Sequence, residues 1–380
     1  MGKIGTMSMG VETPIMHEGD DIIAIVVDSI LEASKESGIP LSDGDILGIT
    51  ESLLARTQGN YITIEDISSD IKEKFNKEEV GVLFPIMSRN RFGNILKGIA
   101  LGANKVYVQL SYPFDEVGNP LIDQKTFYEK DIEDKLYTKE EFKKLFSNTT
   151  HPFTGVDYID YYSNIAPNIE IVLSNDPKSL LSLTKNILIS SIHRRDLDRW
   201  ILKKEDSKAT IYDLTEVLNK PSKEHGYNEN YGLLGSNMSD ENRLKLFPRD
   251  GKIIVDKVQK IILDKTGKKI EVLIYGDGAF KDPMCGIWEL ADPVVSPFHT
   301  KGLEGLPSEM KLKYLADTKG LKEEEIIKLI NNNKNINGAL GTTPRRIVDL
   351  VGSLCDLTSG SGDKGTPVVW VKNYSRKYNS

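Results

Sequence analysis

The chain has 380 residues, of which 39% are hydrophobic and 28% charged, an ordinary composition for a folded protein with enough apolar material for a core. Its formal net charge of −7 weighs against a nucleic acid as the main partner, because binding a phosphate backbone needs a basic surface. We therefore expect small-molecule substrates and no nucleic-acid partner.

The two cysteines, Cys285 and Cys355, are far apart, and neither belongs to a C-x-x-C motif or a Cys/His cluster. This spacing argues against a disulfide framework and against a structural zinc site. The N-terminus lacks the apolar core of a signal peptide, and no run approaches the roughly 18 consecutive apolar residues of a membrane span. We expect a cytoplasmic protein that does not contact a membrane, with both thiols buried.

The first predicted element is a helix. Asp20 and Asp21 stand where a helix N-terminus favours negative charge, and apolar residues recur from Ile22 to Ile30. Gly38 and Pro40 then end the pattern. The sequence therefore predicts a capped amphipathic helix over this stretch.

A strand is predicted next, at Ile46 to Ile49. The segment "TESLLARTQGN" that follows it predicts a second helix, with Thr50 as its N-cap. This order places Glu51, Ser52 and Arg56 just past the end of a strand. Ligands commonly bind at such a point, and we therefore take these residues as candidates.

A further strand is predicted within "KVYVQLSYPFDEVGN", where Val106, Val108 and Leu110 alternate with other residues before the pattern breaks at Pro113. Asp115 then follows the strand end. Such a carboxylate can bind a ligand, or it can act as a turn residue that accepts hydrogen bonds from its own backbone. The residues alone leave both roles open.

The middle of the chain changes in character. Residues 127–251 are rich in Lys, Glu, Asn and Tyr, and we interpret them as an inserted subdomain between a first core part (1–126) and a second (252–380). Helical stretches are predicted near Lys139 to Leu145 and from Ser179 to Ile192. A basic helix at "IHRRDLDRW" is either an ion-paired surface or a contact for an acidic substrate.

The C-terminal part resumes with "IEVLIYGDG", which predicts a buried strand at Val272 to Tyr275 followed by Asp277 in a glycine turn. A helix is predicted near Lys322 to Ile330. An amphipathic helix from Arg345 to Leu357 and a last strand, "VVWV", complete the pattern.

The loop "SGSGDKGTP" joins that helix to the last strand. Its glycines allow backbone N–H groups to converge on an anion, and Lys364 adds a positive charge, as in phosphate-binding nests. It lacks the order of a Walker A motif and could equally be a plain connector. Together with Asp115 and Asp277 it would suit Mg²⁺ or Mn²⁺ bridging a carboxylate and a nucleotide phosphate.

Five segments, taken in order, resemble the γ-glutamyl ligase family that adds glutamate to coenzyme F-420. They are "TPIMHEGDD", "LSDGDILGITESLLARTQGN", "YPFDEVGN", "TGKKIEVLIYGDG" and "SGSGDKGTPVVWVKN". The resemblance implies an α+β fold, with mixed sheets and flanking helices, in which a two-domain core of the γ-glutamyl ligase type carries the inserted subdomain. It also implies a homodimer.

The resemblance further assigns site residues. Arg56, which stands where the family has lysine, joins Asp115 and Asp277 as a catalytic residue. The implied metal ligands are Asp115, Asp277 and Asp363, the last lying two residues from Ser361, where the family has glutamate. The implied nucleotide contacts are Thr13, Pro14, Ile15, Met16, Glu51, Ser52, Arg56, Asn119, Gly360, Ser361, Gly362, Asp363, Lys364, Gly365 and Thr366.

The function that the resemblance implies is a GTP-dependent ligase with two Mg²⁺ or Mn²⁺ sites. It would join L-glutamate through a γ-glutamyl amide to a carboxylate acceptor, either a coenzyme F-420 precursor or a folate-like molecule, by way of an acyl phosphate. Two alternatives stay open. One is a ligase for an unrelated carboxylate and amine, and the other is a non-catalytic nucleotide-binding protein.

Overall fold

The computed structural model describes residues 5–89, 91–151, 154–276, 279–281, 288–290, 296–304, 320–322, 324–325, 328, 346–359 and 365–374. The chain divides into two compact units. Unit 1 comprises Met1–Gln58, Pro248–Gly278 and Val294–Ser380, and unit 2 comprises Gly59–Phe247 and Ala279–Pro293.

The elements of unit 1 form one sheet with helices. They are β1 (Met7–Val11), α1 (Ile22–Ser37), β2 (Ile46–Thr50), α2 (Glu51–Thr57), α9 (Gly251–Thr266), β12 (Glu271–Tyr275), β15 (Phe298–His299), α10 (Ile347–Ser359) and β16 (Val368–Lys372), with a 3₁₀ turn at Lys301–Leu303. The sheet order is β1-β16-β2-β12-β15, and the β2–β12 pair is parallel.

Helix α1 begins and ends as its sequence predicts. The Asp21 side chain accepts hydrogen bonds from the amides of Ile23 and Ala24, each at 3.1 Å. The helix stops at Gly38, whose φ of 68° lies in the left-handed region that favours glycine. The predicted strands at β2, β12 and β16 are also confirmed.

Both faces of the unit 1 sheet are buried. Successive strand residues point to opposite faces, and the residues of each face belong to an apolar cluster. Leu47 and Ile49 join one apolar cluster with α1 and α9, whereas Ile46 joins another with α10. Gly48 lies under Cys355, where an added Cβ would stand 2.5 Å from the Sγ atom. The expected burial of Cys355 is therefore confirmed, while Cys285 lies outside the described residues.

The elements of unit 2 centre on a six-stranded sheet. They are β3 (Tyr61–Thr63), α3 (Ile64–Phe75), β4 (Glu79–Leu83), α4 (Phe92–Gly102), β5 (Lys105–Leu110), α5 (Gln124–Glu129), β6 (Tyr137–Thr138), α6 (Lys139–Leu145), α7 (Tyr158–Ser163), β7 (Ile169–Leu173), β8 (Asn186–Ile189), α8 (Arg195–Glu205), β9 (Thr210–Asp213), β10 (Asn237–Met238), β11 (Arg243–Lys245), β13 (Ala279–Lys281) and β14 (Trp288–Leu290), with 3₁₀ turns at Pro177–Ser182 and Leu214–Glu216. The six-stranded order is β6-β7-β5-β4-β8-β9.

Five strands of this sheet run parallel and only β6 is antiparallel. From β4 the chain moves to β5 and then β7 on one side, and afterwards returns to place β8 on the other side of β4. The order is that of a doubly wound sheet whose direction of progress reverses between β4 and β8. Such a reversal is where doubly wound sheets bind their ligands, beyond the carboxyl ends of the strands.

The mixed sheets with flanking helices confirm the α+β class. The predicted helix over Ser179 to Ile192 is wrong, because β8 occupies its second half. The apolar run from Ile187 to Ile189 is buried between β4 and β9, and so short a run has no periodicity to separate a strand from a helix. The helix near Lys322 to Ile330 lies mostly outside the described residues.

The compact units have no boundary near the predicted one at 126, whereas the predicted boundary at 251 lies within four residues of the change from unit 2 to unit 1 after Phe247. Residues 127–251 supply β6, β7, β8 and β9 to the sheet whose centre is β4 and β5. They also share one apolar cluster with residues from Ile62 onward. A segment that completes a parallel sheet cannot form a separate core, and the structural boundary therefore lies near residue 58 instead.

No helix among the described residues combines the length and the apolar character needed to cross a membrane.

Candidate functional site

In unit 1, three segments named by the sequence lie side by side. The amide of Thr13 donates to the carbonyl of Gly365 at 3.3 Å, and the amide of Thr50 donates to the carbonyl of Pro367 at 3.0 Å. Gly10 permits this approach, because an added Cβ there would stand 2.8 Å from Cβ of Thr366. The structure thus brings together segments separated by more than three hundred positions in the chain.

Helix α2 starts directly at the end of β2, as predicted, although the side chain of Thr50 makes no capping hydrogen bond. Glu51 is 3% exposed, whereas Ser52 and Arg56 are exposed and lie one turn apart. A hydroxyl and a guanidinium on one helix face can both donate hydrogen bonds to an anion. The pair therefore suits the nucleotide contact predicted for both residues.

The residues of the loop between β1 and α1 differ in how far they are exposed. The side chain of Met16 is 1% exposed and packs in the core of unit 1, while that of Ile15 is 79% exposed. The amide of Gly19 donates to the carbonyl of Thr57 at 2.9 Å and holds the loop against the end of α2. Of the residues Thr13 to Met16, then, Met16 anchors the segment and Ile15 presents an apolar surface.

In unit 2, Asp115 follows β5 as predicted and is 4% exposed. One carboxylate oxygen accepts from the amides of Val117 at 3.1 Å and Asn119 at 2.9 Å. The other accepts from the amide of Met87 at 3.0 Å and from Nδ2 of Asn119 at 2.9 Å. A carboxylate offers about four acceptor positions, and all of them are used.

The electrostatic state of Asp115 follows from its burial. Every one of those donors is uncharged, and removal from water raises the pKa of the carboxyl group to about 6 despite the hydrogen bonds that lower it. Beside it, Oδ1 of Asn119 is buried and has no hydrogen-bond partner among the described residues. Asn119, 4% exposed, therefore has an acceptor left for a ligand donor.

The loop that follows β4 is fixed by two side chains from elsewhere in unit 2. Besides the bond from Met87 to Asp115, the amide of Ser88 donates to the hydroxyl of Tyr162 at 2.8 Å. Tyr162 is fully buried. The loop after β4 is therefore anchored at Met87 and Ser88, near the reversal point of the sheet.

The arginines of "IHRRDLDRW" lie at the start of α8, as predicted, and are largely paired. Arg194 donates to Asp198 at 3.0 Å and covers the ring of Phe84, with 5.4 Å from Cζ to the ring centroid. Arg199 pairs with Asp213 at 2.8 Å. The ion-paired alternative therefore holds for both arginines, although the side chain of Arg194 is still 42% exposed.

Several predicted site residues lie outside the described residues: Asp277, Gly360, Ser361, Gly362, Asp363 and Lys364. The strand that precedes Asp277 is described, and its last residue, Tyr275, pairs with Thr50. Among described residues no group of three or more His, Cys, Asp and Glu could hold a metal ion. Asp115, with its oxygens occupied, does not fit the role of a metal ligand in this arrangement.

Sequence reasoning missed the partners that hold Asp115 in place. Met87, whose amide donates to Asp115, carries no motif, and neither does Tyr162, which accepts from the neighbouring Ser88; neither could be placed without the fold. Glu116 did carry a signal, because it is the second of two consecutive carboxylates that follow the strand in the sequence. Its Oε1 accepts from the amide of Ile192 at 2.5 Å, and its Oε2 from that of His193 at 3.1 Å.

Comparison with known proteins agrees with these features. The family model described as F420-0:Gamma-glutamyl ligase matches residues 10–373. The chain is also similar to a coenzyme F420:L-glutamate ligase of Methanothermobacter thermautotrophicus, strain Delta H, with 33% identity over 81 residues. That alignment covers 20% of this chain and 31% of the relative, so the chain matches about a third of the relative's length.

Proposed function

The chain belongs to the F420-0:gamma-glutamyl ligase family, and from that premise we propose that it is a GTP-dependent ligase that joins L-glutamate to a carboxylate acceptor through a γ-glutamyl amide. The acceptor we propose is a coenzyme F-420 precursor or a folate-like molecule. The name of the similar Methanothermobacter protein supports glutamate as a substrate.

The proposed reaction has two steps. An oxygen of the acceptor carboxylate attacks the γ-phosphorus of GTP, the bond from that phosphorus to the bridging oxygen of GDP breaks, and an acyl phosphate forms. The amine of glutamate then attacks the acyl carbon, phosphate leaves, and the amine loses a proton. Positioning and charge stabilisation dominate such phosphoryl transfers, and the protein mainly has to hold the reactants.

The observation that carries the proposal is the convergence in unit 1. The segments at Thr13, at Thr50 to Arg56 and at Gly365 are joined through backbone hydrogen bonds, and Ser52 and Arg56 face solvent beside that junction. Arg56 would bind phosphate oxygens, and its planar guanidinium can do so with two parallel hydrogen bonds. Independently of unit 1, the resemblance predicts Asn119 as a nucleotide contact, and its buried Oδ1 has no hydrogen-bond partner among the described residues.

The resemblance also implies two divalent metal ions. Because Asp115 does not present a free oxygen, no step of the proposed reaction is drawn through a metal. Asp277 and Asp363 stay predictions as ligands, and the requirement of turnover for Mg²⁺ or Mn²⁺ is tested by adding a chelator.

Two other functions are compatible with the family. A ligase for an unrelated carboxylate and amine would share the phosphate chemistry, and a non-catalytic protein would bind the nucleotide without turning it over. Release of phosphate from GTP, measured with and without L-glutamate and each acceptor, separates our proposal from both. Release that needs both glutamate and acceptor supports our proposal, whereas release with neither, or none under any condition, contradicts it.

The role of Arg56 can be tested by nucleotide binding alone. Arg56→Ala should weaken GTP binding by about 1–3 kcal/mol, because it removes a charge-assisted hydrogen bond. Isothermal titration calorimetry gives the affinity without requiring turnover. Lys260→Ala, which removes an exposed cation on α9, is the matched control and should bind GTP as the unaltered protein does. Equal GTP affinities of the two variants would show that Arg56 does not bind the nucleotide.

A further inference from the structure

Glu116 occupies an unusual position in the doubly wound sheet of unit 2. It follows β5, yet its carboxylate binds the amides of Ile192 and His193 in the loop after β8. β4 lies between β5 and β8. Since neighbouring strands are about 4.8 Å apart, the loop after β5 reaches across roughly 10 Å, over the carboxyl end of β4.

The two consecutive carboxylates bind the amides of two different loops. Asp115 accepts from the amide of Met87 in the loop after β4, and Glu116 accepts from two amides in the loop after β8. Three loops at the carboxyl edge of the parallel strands are thus tied together by adjacent residues. They meet at the reversal point of the sheet, where doubly wound sheets place their ligands.

The turn from Asp115 to Asn119 is also held by hydrogen bonds within itself. The amide of Asp115 donates to the carbonyl of Asn119 at 3.0 Å, and that of Gly118 to the carbonyl of Asp115 at 3.0 Å. These bonds fix the shape of the turn without fixing where the turn lies relative to β8. Among the described contacts, the carboxylate of Glu116 makes the bonds that join this turn to the loop after β8.

We infer that Glu116 is a positioning residue, which sets the turn containing Asp115 and Asn119 by holding it to the loop after β8. The inference rests on the proposed function, in which Asn119 contacts the nucleotide. Glu116 itself acts through the turn, and removal of its carboxylate should loosen the turn and weaken nucleotide binding without unfolding unit 2.

Hydrogen exchange tests the inference without requiring activity. Glu116→Gln keeps the shape but replaces one acceptor oxygen by an NH₂ donor, which would face a backbone N–H. Peptides covering 111–119 and 190–194 should exchange about tenfold faster, as expected from the loss of one hydrogen bond. Glu129→Gln, an exposed carboxylate on α5, is the matched control and should leave both peptides unchanged. Unchanged exchange in Glu116→Gln would overturn the inference.

Steady-state kinetics then separate positioning from a general loss of stability. In Glu116→Gln the KM for GTP should rise about fivefold or more, while the KM for L-glutamate stays within about twofold. A GTP KM equal to that of the active unaltered protein would overturn the inference. If the unaltered protein releases no phosphate with glutamate and acceptor, the proposed function fails instead, and the exchange result alone decides the role of Glu116.

Discussion

Each unit buries an aspartate near the end of one of its strands, and the two carboxylates have different kinds of partner. In unit 1, Asp45 is 2% exposed and its Oδ2 lies 2.7 Å from Nζ of Lys372, with a further hydrogen bond from Nε1 of Trp370 at 3.0 Å. In unit 2, Asp115 is 4% exposed and has only uncharged donors. The carboxylate of Asp45 is therefore paired with a cation, whereas burial without a cation raises the pKa of Asp115 to about 6.

The cation in unit 1 should matter most. Lys372→Met leaves Asp45 buried without its counter-charge, and the free energy of unfolding should fall by about 3–5 kcal/mol. Urea denaturation measures it. The double variant Asp45→Asn with Lys372→Met should recover most of the loss, because it leaves no unpaired charge. If Lys372→Met alone lowered the free energy of unfolding by less than about 1 kcal/mol, the pair would behave like an exposed ion pair, and the contrast with Asp115 would fail.

Asp115 should instead make stability depend on pH. Burial raises its pKa from 3.8 to about 6, so the folded state holds the proton more tightly than the unfolded chain. The resulting stabilisation is fully present below pH 3.8 and is lost as the pH rises through 6, a change of about 3 kcal/mol.

Asp115→Asn removes this titration while keeping the size of the side chain. We therefore expect the free energy of unfolding of the unaltered protein, relative to that of the variant, to decline between about pH 4 and pH 7. Denaturation curves of both proteins across this range give the difference. A difference that does not change with pH would show that Asp115 titrates normally.

The smallest effect is expected for an ion pair at the surface of unit 1. Lys265 lies 3.1 Å from Asp28, but the two side chains are 50% and 70% exposed. Lys265→Met should change the free energy of unfolding by no more than about 1 kcal/mol, since water already screens the pair. If Lys265→Met lowered the free energy of unfolding as much as Lys372→Met does, loss of the ion pair itself, rather than its burial, would determine the destabilisation.

Local signals were sufficient for most individual elements. Asp21 and Gly38 fix the ends of α1, and the strand of Asp277 and the strand of Asp115 lie where alternation and apolar runs predict them. The helix predicted over Ile187 to Ile189 was wrong, because so short an apolar run does not separate a strand from a helix, and its pairing with β4 and β9 makes it a strand.

The order of the motifs carries the family resemblance, and that resemblance implied the α+β class. Capping residues and hydrophobic periodicity determined the main elements. They do so because helix caps and hydrophobic periodicity act over a few neighbouring residues. Only the tertiary structure decided that residues 127–251 complete a sheet begun by β4 and β5, that Lys372 neutralises Asp45, and that Glu116 reaches the loop after β8. Each of these depends on partners distant in the chain, which packing selects and which local pattern does not record.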